Sequence, residues 1–514
     1  MTLASVTRIR LAGLVGLVGL GAVACGGGRD FQTPKTLAEY RPTRRTTTPA
    51  ATDDAAEAFR ATPPARTPSK AAQAPVLPTE VRLSNGIRVV MLERHDFPSI
   101  SAVLVLDHGA ASAGPGVAQL YSEAMLGSSN EYKSTEAWQY LGFVGGVVNN
   151  ETWFDAIGLQ ITALSPLFVS AMSRAAPMFT APSLDGDDLD EARTHLAAEH
   201  ASADEDPADV ARDALYAAVF PPPHPYGTPI AGQPARLGAR KRGDRKEAAV
   251  TDAAVKGFRA SNLGADHVGV AVVGDFKPAS IQRILENALG KLPKAAPSAP
   301  PTFPTIAPGT GRKVIVIDRP GAAQSSVAIG WPGPRASEAD LVTLDVLAGA
   351  TAGDLSTRLN ITVRKELGAS YGVHMSAVGL RSGGIVTIGA AIDTARTVDA
   401  LRGLFKEIDR LRTEPLSPAE LGAAKLRTYH ELERGSTRGL ARYLARAIAE
   451  DLPPASVVTH NARVDVVTAE AVRAAAAHYL AADDARVVIV GDASTIVPGL
   501  KTLGIGDVSI AAPH

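Results

Sequence analysis

Two stretches of this chain end a run of apolar residues on the same dipeptide: HVGVAVVGDF at 267–276 and ARVVIVGDAS at 485–494. Each follows a segment opening on Val-Thr, VTDAAVKGFRASNL in one case and VTAEAVRAAAAHYL in the other. Thr is a helix-capping residue, and the Ala, Val and aromatic residues after it recur on one helical face. A helix followed by a buried strand closing on Gly-Asp therefore occurs twice, with Asp275 and Asp492 separated by 217 residues. A repeat of this kind predicts two homologous halves. Between them, LPKAAPSAPPTFPTIAPGTG at 292–311 is rich in Pro and Gly and reads as a linker.

Each half mixes strands with helices. The first opens with LSNGIRVVMLER, a strand after an Asn-Gly turn, and SISAVLVLDHG, a second strand; helical patterns follow at 116–126, 135–142 and 164–178. The second opens with RKVIVIDRP and SSVAIGW, then helical patterns at 338–350 and 355–367. The expected class is α+β: two homologous halves, each a mixed sheet with helices on one face. The halves span 79–291 and 312–498, and residues 499–514 read as a tail.

The start of the chain has a different character. Arg8 and Arg10 precede an apolar run from Leu11 to Ala22, and the only cysteine, Cys25, ends GAVAC. The run is too short to span a bilayer and reads, over 1–25, as an export signal with a lipobox whose Cys25 is acylated. Cleavage by an ordinary signal peptidase is the alternative. Residues 26–78 are rich in Pro, Thr, Ala and Arg without an apolar period, as in a disordered tether. The expected location is the bacterial cell envelope, with the lipid anchor as the only membrane contact. Lys and Arg total 52 and Asp and Glu 53, so no general attraction to nucleic acid is expected. The basic run RLGARKRGDRKEAA at 236–249 reads as a solvated helix or loop.

A set of motifs in fixed order carries a family resemblance: LSNGIRVVMLERHDFPSISA, GPGVAQLYSEAMLGSS, HPYGTPIAG, AVVGDF, DRPGAAQSSVAIG, LSTRLNITVRKELGASYGV and VVIVGDA, spread over about 80–495. The chain resembles the pitrilysin/insulinase metallopeptidases, which include the mitochondrial processing peptidases. The resemblance implies a processing-peptidase-like metallohydrolase fold and an inverted zinc motif, H-x-x-E-H, on the helix after GxxG. Positions i, i+3 and i+4 share one helix face, which lets two imidazoles hold Zn²⁺ beside a carboxylate base. Here those positions are Gln119, Ser122 and Glu123. Gln is a poor zinc ligand and Ser cannot act as the base. The family takes a third ligand from a later helix, where Glu191 is the candidate; Glu123 and Glu191 are the residual metal candidates. HLAAEH at 195–200 imitates a zinc motif, but five residues turn His195 and His200 apart by roughly 140°. His224, in HPYG, reads as part of a turn.

Other family positions are filled. The resemblance implies an Arg and a Tyr, seven residues apart, near the substrate carbonyl, and Arg364 and Tyr371 stand there. Gly368 between them fits a helix stop before a strand. GGVVNNETWFDAIGLQITAL at 145–164 matches the segment whose strand edge pairs with extended peptide, which would place Asn149 and Asn150 in the groove. The resulting reading is a zinc-less subunit of a two-subunit peptidase, with no cofactor expected in this chain. Its partner would be a zinc-bearing homologous subunit in a heterodimer. The alternatives are a non-catalytic envelope scaffold or peptide-binding protein, and an active metalloendopeptidase with atypical ligands.

Overall fold

The computed structural model describes residues 75–232, 250–295, 303–307, 309–429 and 435–511. The stretch expected to be an export signal, with Cys25, nearly all of the one expected to be a tether, and the whole 236–249 basic run lie outside these residues.

In the first half, β1 (Thr79–Arg82), β2 (Arg88–Glu93), β3 (Ser99–Leu106), β4 (Val147–Thr152), β5 (Ile157–Leu164) and β6 (Val268–Gly274) form one sheet ordered β1-β2-β6-β3-β5-β4. In the second, β7 (Lys313–Asp318), β8 (Gln324–Gly333), β9 (Ser370–Leu380), β10 (Gly383–Asp393), β11 (Arg486–Gly491) and β12 (Asp507–Ala511) are ordered β12-β7-β11-β8-β10-β9. The two Gly-Asp strands occupy equivalent slots. β6 runs parallel to β2 and antiparallel to β3, as β11 does to β7 and β8. Thr251 and Thr468 cap the preceding helices, each accepting from the backbone N–H three residues on, at 3.2 and 3.1 Å.

One difference concerns the end of the chain. Residues 499–511, read as a tail, finish a helix and supply β12, which pairs in parallel with β7. In the first sheet the same edge is closed by β1, antiparallel to β2. The chain thus fills equivalent edge slots from opposite ends. Asp507, Val508, Ser509 and Ile510 do alternate polar and apolar, and pairing with β7 makes this short run an edge strand.

The helices of the first half are α1 (Val117–Ala124), α2 (Ser134–Phe143), α3 (Phe168–Thr180), α4 (Gly186–Glu205), α5 (Pro207–Val219), α6 (Asp252–Asn262) and α7 (Pro278–Leu289). Those of the second are α8 (Asp340–Thr351), α9 (Thr397–Thr413), α10 (Pro418–Thr428), α11 (Thr437–Ala449), α12 (Ala469–Tyr479) and α13 (Ala493–Leu503), besides shorter turns. All but α5 of the first set pack on one face of the first sheet, against Val89, Met91, Leu104, Leu159 and Val270. All but α11 of the second set pack likewise on the second sheet.

The opposite faces are not bare. Val90, Val103, Val105 and Val273 of the first sheet bury against Leu440, Leu444 and Ala445 of α11, a helix of the second half. Ile317, Val488 and Val490 of the second sheet bury against Ala211, Leu215 and Val219 of α5, a helix of the first. Single-face coverage therefore describes each half's own helices only. β3 and β6 are buried along their whole length, as continuous apolar runs require when both faces are covered. The crossing helices ride close. A Cβ on Gly269 would meet Ile448 of α11 at 2.4 Å, and one on Gly330 would meet Leu215 of α5 at 3.0 Å.

Leu215 and Leu444 are buried in a core to which the two halves contribute jointly. Leu215→Ala and Leu444→Ala are each expected to cost about 2–5 kcal/mol in chemical denaturation. A loss under about 1 kcal/mol for both would show that the crossing helices are not integral to the cores.

Candidate functional site

Helix α1 is fixed by its apolar face. Leu120 and Tyr121 are fully buried, and the Tyr121 ring meets Phe258 of α6 edge-on at 5.4 Å. The face bearing the motif positions looks toward β4 and α4, and each position is already engaged or unsuited. Ser122 is fully buried. Asn150 of β4 donates through Nδ2 to the Ser122 carbonyl at 2.8 Å, to Ser122 Oγ at 3.2 Å and to Glu123 Oε2 at 3.1 Å. The other oxygen of Glu123 lies 3.0 Å from Nδ1 of His195 on α4. Gln119 is half-buried and offers only an amide.

The placements differ in several respects from the sequence expectation. Glu191 is exposed, and the α4 side chain that meets Glu123 is His195, one turn further on. His195 and His200 do diverge: the first is largely exposed and the second buried. His195 and His200 form no pair, yet His195 by itself meets Glu123. Its four-residue spacing from Glu191, on the same helix face, was the available signal. Asn149 and Asn150 do not act together, since successive strand residues point to opposite faces. Asn150 clamps α1, whereas Asn149 is exposed. His224 caps the short turn Pro225–Gly227, its Nδ1 accepting from Tyr226 N at 3.2 Å.

A hydrolytic zinc needs three protein ligands of imidazole, thiolate or carboxylate type and a base beside it. Here one carboxylate faces one imidazole, the base position is a buried hydroxyl, and among the described residues no third such ligand gathers with Glu123 and His195. The donor set does not fit the family's metal.

The second half holds a different constellation. A short helical turn at Arg358–Asn360 widens into a π-turn over Ile361–Glu366, with Leu367 N donating to Thr362 O at 3.1 Å. Such widened turns are frequent at functional sites. The chain then reverses through Gly368, whose φ of +57° suits a residue without Cβ, and enters β9 at Ser370. This brings Arg364 and Tyr371 together. Arg364 Nη1 donates to the Tyr371 carbonyl at 2.9 Å, and its guanidinium carbon lies 4.4 Å from the Tyr371 ring centroid. Tyr371 is 86% exposed on an edge strand. Among the described residues its hydroxyl has no protein partner.

Their spacing is held by a residue the sequence reading did not single out. Asn360, buried, accepts from Val373 N at 2.9 Å and donates to Val373 O at 3.3 Å and to Thr357 Oγ1 at 3.2 Å. Its amide thus pairs with the outer edge of β9 as a strand residue would. The result is an arginine fork and a phenol presented on a rigid rim, donors suited to a carbonyl oxygen that gains negative charge.

The sequence matches the family Insulinase (Peptidase family M16) over residues 88–232 and Peptidase M16 inactive domain over residues 249–427. It is 24% identical over 436 residues to an uncharacterized zinc protease of Mycobacterium tuberculosis, covering 81% of this chain and 94% of that one. It is 25% identical over 286 residues to an uncharacterized zinc protease of Streptomyces coelicolor, covering 55% of this chain and 60% of that one. Among solved structures, the fold resembles a peptidase M16 inactive domain from Pseudomonas fluorescens, with a TM-score of 0.72, 20% identity and coverage of 81% and 98%. It also resembles a protease from Helicobacter pylori, with a TM-score of 0.74, 17% identity and coverage of 81% and 100%.

Asn360→Ala leaves the outer N–H and C=O of Val373 without their partner, and is expected to cost about 1–3 kcal/mol. Arg364→Ala removes a side chain whose contacts are with the exposed Tyr371, and is expected to change stability by less than about 0.5 kcal/mol. Thermal denaturation of both variants checks this; equal losses would mean that Arg364 is scaffolding.

Proposed function

Because the chain belongs to the insulinase family of metallopeptidases, we propose that it is the zinc-less subunit of a two-subunit peptidase and lends Arg364 and Tyr371 to a homologous partner that carries the zinc. The observation that supports this reading most is the contrast between the two constellations. Gln119, Ser122 and Glu123 do not offer a zinc donor set, while Arg364, half-buried, and Tyr371, exposed, are held together. Relatives named uncharacterized zinc proteases support a part in proteolysis, and the match to the Peptidase M16 inactive domain over residues 249–427 is compatible with a supporting one.

The substrate is an extended peptide. β4 and β9 are both sheet edges, and an edge pairs with extended backbone through main-chain hydrogen bonds. With the scissile bond so held, Arg364 and the Tyr371 hydroxyl donate to its carbonyl oxygen, while the partner supplies the hydrolytic centre. Both donors count for more as charge builds on that oxygen than in substrate binding, so their removal lowers turnover.

The test is co-expression with a zinc-bearing homologous chain, followed by peptide-cleavage kinetics. Arg364→Ala and Tyr371→Phe are each expected to lower turnover on the order of 10²–10³, with subunit association and the partner's zinc content unchanged. Arg364→Lys should also be poor, because an ammonium cannot reproduce the fork. Glu123→Gln should leave turnover unaffected, and this chain alone should cleave nothing. Variants at Arg364 and Tyr371 that cleave as fast as the parent would leave the envelope scaffold as the reading.

The location we propose is the cell envelope, through acylation of Cys25. Stable anchoring takes more than one acyl chain. Cys25→Ser is expected to move the protein from the membrane fraction to the soluble envelope fraction. A parent protein that takes up no fatty-acid label would overturn the anchor.

A further inference from the structure

We propose that Asp107, His108 and His267 bind one divalent first-row transition metal ion at the seam between the two halves, sharing no ligand with α1. Asp107 and His108 follow the last residue of β3, and His267 precedes the first of β6. The two strands are antiparallel neighbours, with Leu106 opposite Val268, and Asp107 N donates to the His267 carbonyl at 2.9 Å. The three side chains are therefore fixed by the end of a sheet ladder buried on both faces.

Their geometry is convergent. His108 Nδ1 lies 2.7 Å from Asp107 Oδ1, and His267 Nδ1 lies 3.2 Å from the same oxygen. The two rings stand edge to face, with centroids 4.5 Å apart and an interplanar angle of 88°. All three ligand atoms fall within 4.8 Å of one another. Tetrahedral zinc, with bonds of about 2.0–2.2 Å to nitrogen and oxygen, holds neighbouring donors about 3.4 Å apart. An ion could thus enter with small side-chain movements, each neutral imidazole carrying its proton on Nε2.

Two imidazoles and a carboxylate suit Zn²⁺, Co²⁺, Ni²⁺ or Cu²⁺ and leave a fourth position for water. His108 is buried, whereas Asp107 and His267 are partly exposed, so ion and water can reach the site. The Asp107 carbonyl accepts from Arg381 Nη2 of the second half at 3.0 Å. The guanidinium charge is shared with the Asp155 and Ala449 carbonyls, and the Glu450 carboxylate is close enough to feel it. A bound ion would stiffen the strand ends that receive this cross-half contact.

The experiment uses the untagged mature chain, stripped with chelator and titrated with Co²⁺ and with Zn²⁺. One equivalent is expected, with a visible Co²⁺ absorption of low-symmetry nitrogen and oxygen ligation, and a rise in Tm on adding Zn²⁺. Asp107→Asn and His267→Ala, both at partly exposed positions, should weaken binding by roughly 100-fold or more and abolish the Tm rise. Glu123→Gln with His195→Gln should leave both unchanged. No binding by the parent chain, or affinity that survives both variants at the seam, overturns the proposal. So does binding lost only in the Glu123/His195 variant.

Discussion

Each half of this protein leaves one face of its sheet for the other half to cover, and the rest of the structure depends on that exchange. β3, β6 and β11 are too apolar to meet water on their second face, and α5 and α11 bury it from the opposite half. The equivalent hairpins of the two sheets meet beside these helices. Asp155, buried in the turn between β4 and β5, accepts from Tyr226 Oη at 2.8 Å and from the backbone N–H of Arg381, in the turn between β9 and β10, at 2.9 Å. Burial and the neighbouring Asp155 carboxylate push the Tyr226 phenol above its ordinary range, so it stays a donor. Arg381 in turn donates to three carbonyls, those of Asp107, Asp155 and Ala449. A carboxylate buried this deeply is tolerated only where its oxygens are satisfied, and here the donors to it come from both halves.

Helix α1 keeps its place without any imidazole at the motif positions. α1 is held by Val117, Leu120, Tyr121 and Ala124, all in the first core. None of these occupies a metal-ligand position, so the fold places no demand for imidazole at 119 or 123. The contacts formed instead are local. Glu123 meets His195 and Asn150, and Ser122 is bonded by Asn150. Restoring a single histidine would leave the other engaged groups in place, so the departure from a zinc site involves the neighbours as well as the motif.

What the sequence revealed and what it hid follow from the range of the interactions. The Gly-Asp strands, the threonine caps and most helix spans rest on contacts within one element or between neighbours, and periodicity reports those. The apolar stripe Ala211, Leu215, Val219 shows that α5 has a buried face, yet nothing in its spacing names the second sheet as the surface it covers. β12 alternates polar and apolar over only five residues, too short a run to show that it closes the edge beside β7. At the candidate site, Gln119, Ser122 and Glu123 were legible as residues out of pattern. His195 was not, because its partner Glu123 is on another helix. Asn360 was hidden for a related reason: a side-chain amide standing in for a strand leaves no mark on spacing.

The two constellations finally differ in what the fold asks of them. The side chains at Ser122, Glu123 and Asn150 have been taken into the packing and hydrogen bonding of α1 against β4 and α4, and they serve stability. Arg364 and Tyr371 have not. An exposed phenol beside a long cationic side chain gains little from burial, and the one stacked contact between them is worth about 0.5–1 kcal/mol at such a site. Around them the backbone is specified closely by a π-turn, a left-handed glycine at Gly368 and the buried amide of Asn360. The fold thus fixes the position of two side chains from which it draws little stability. Such an arrangement is expected where the rim acts on something outside the chain, and the edge strand that carries Tyr371 leaves room for a peptide to pair alongside it.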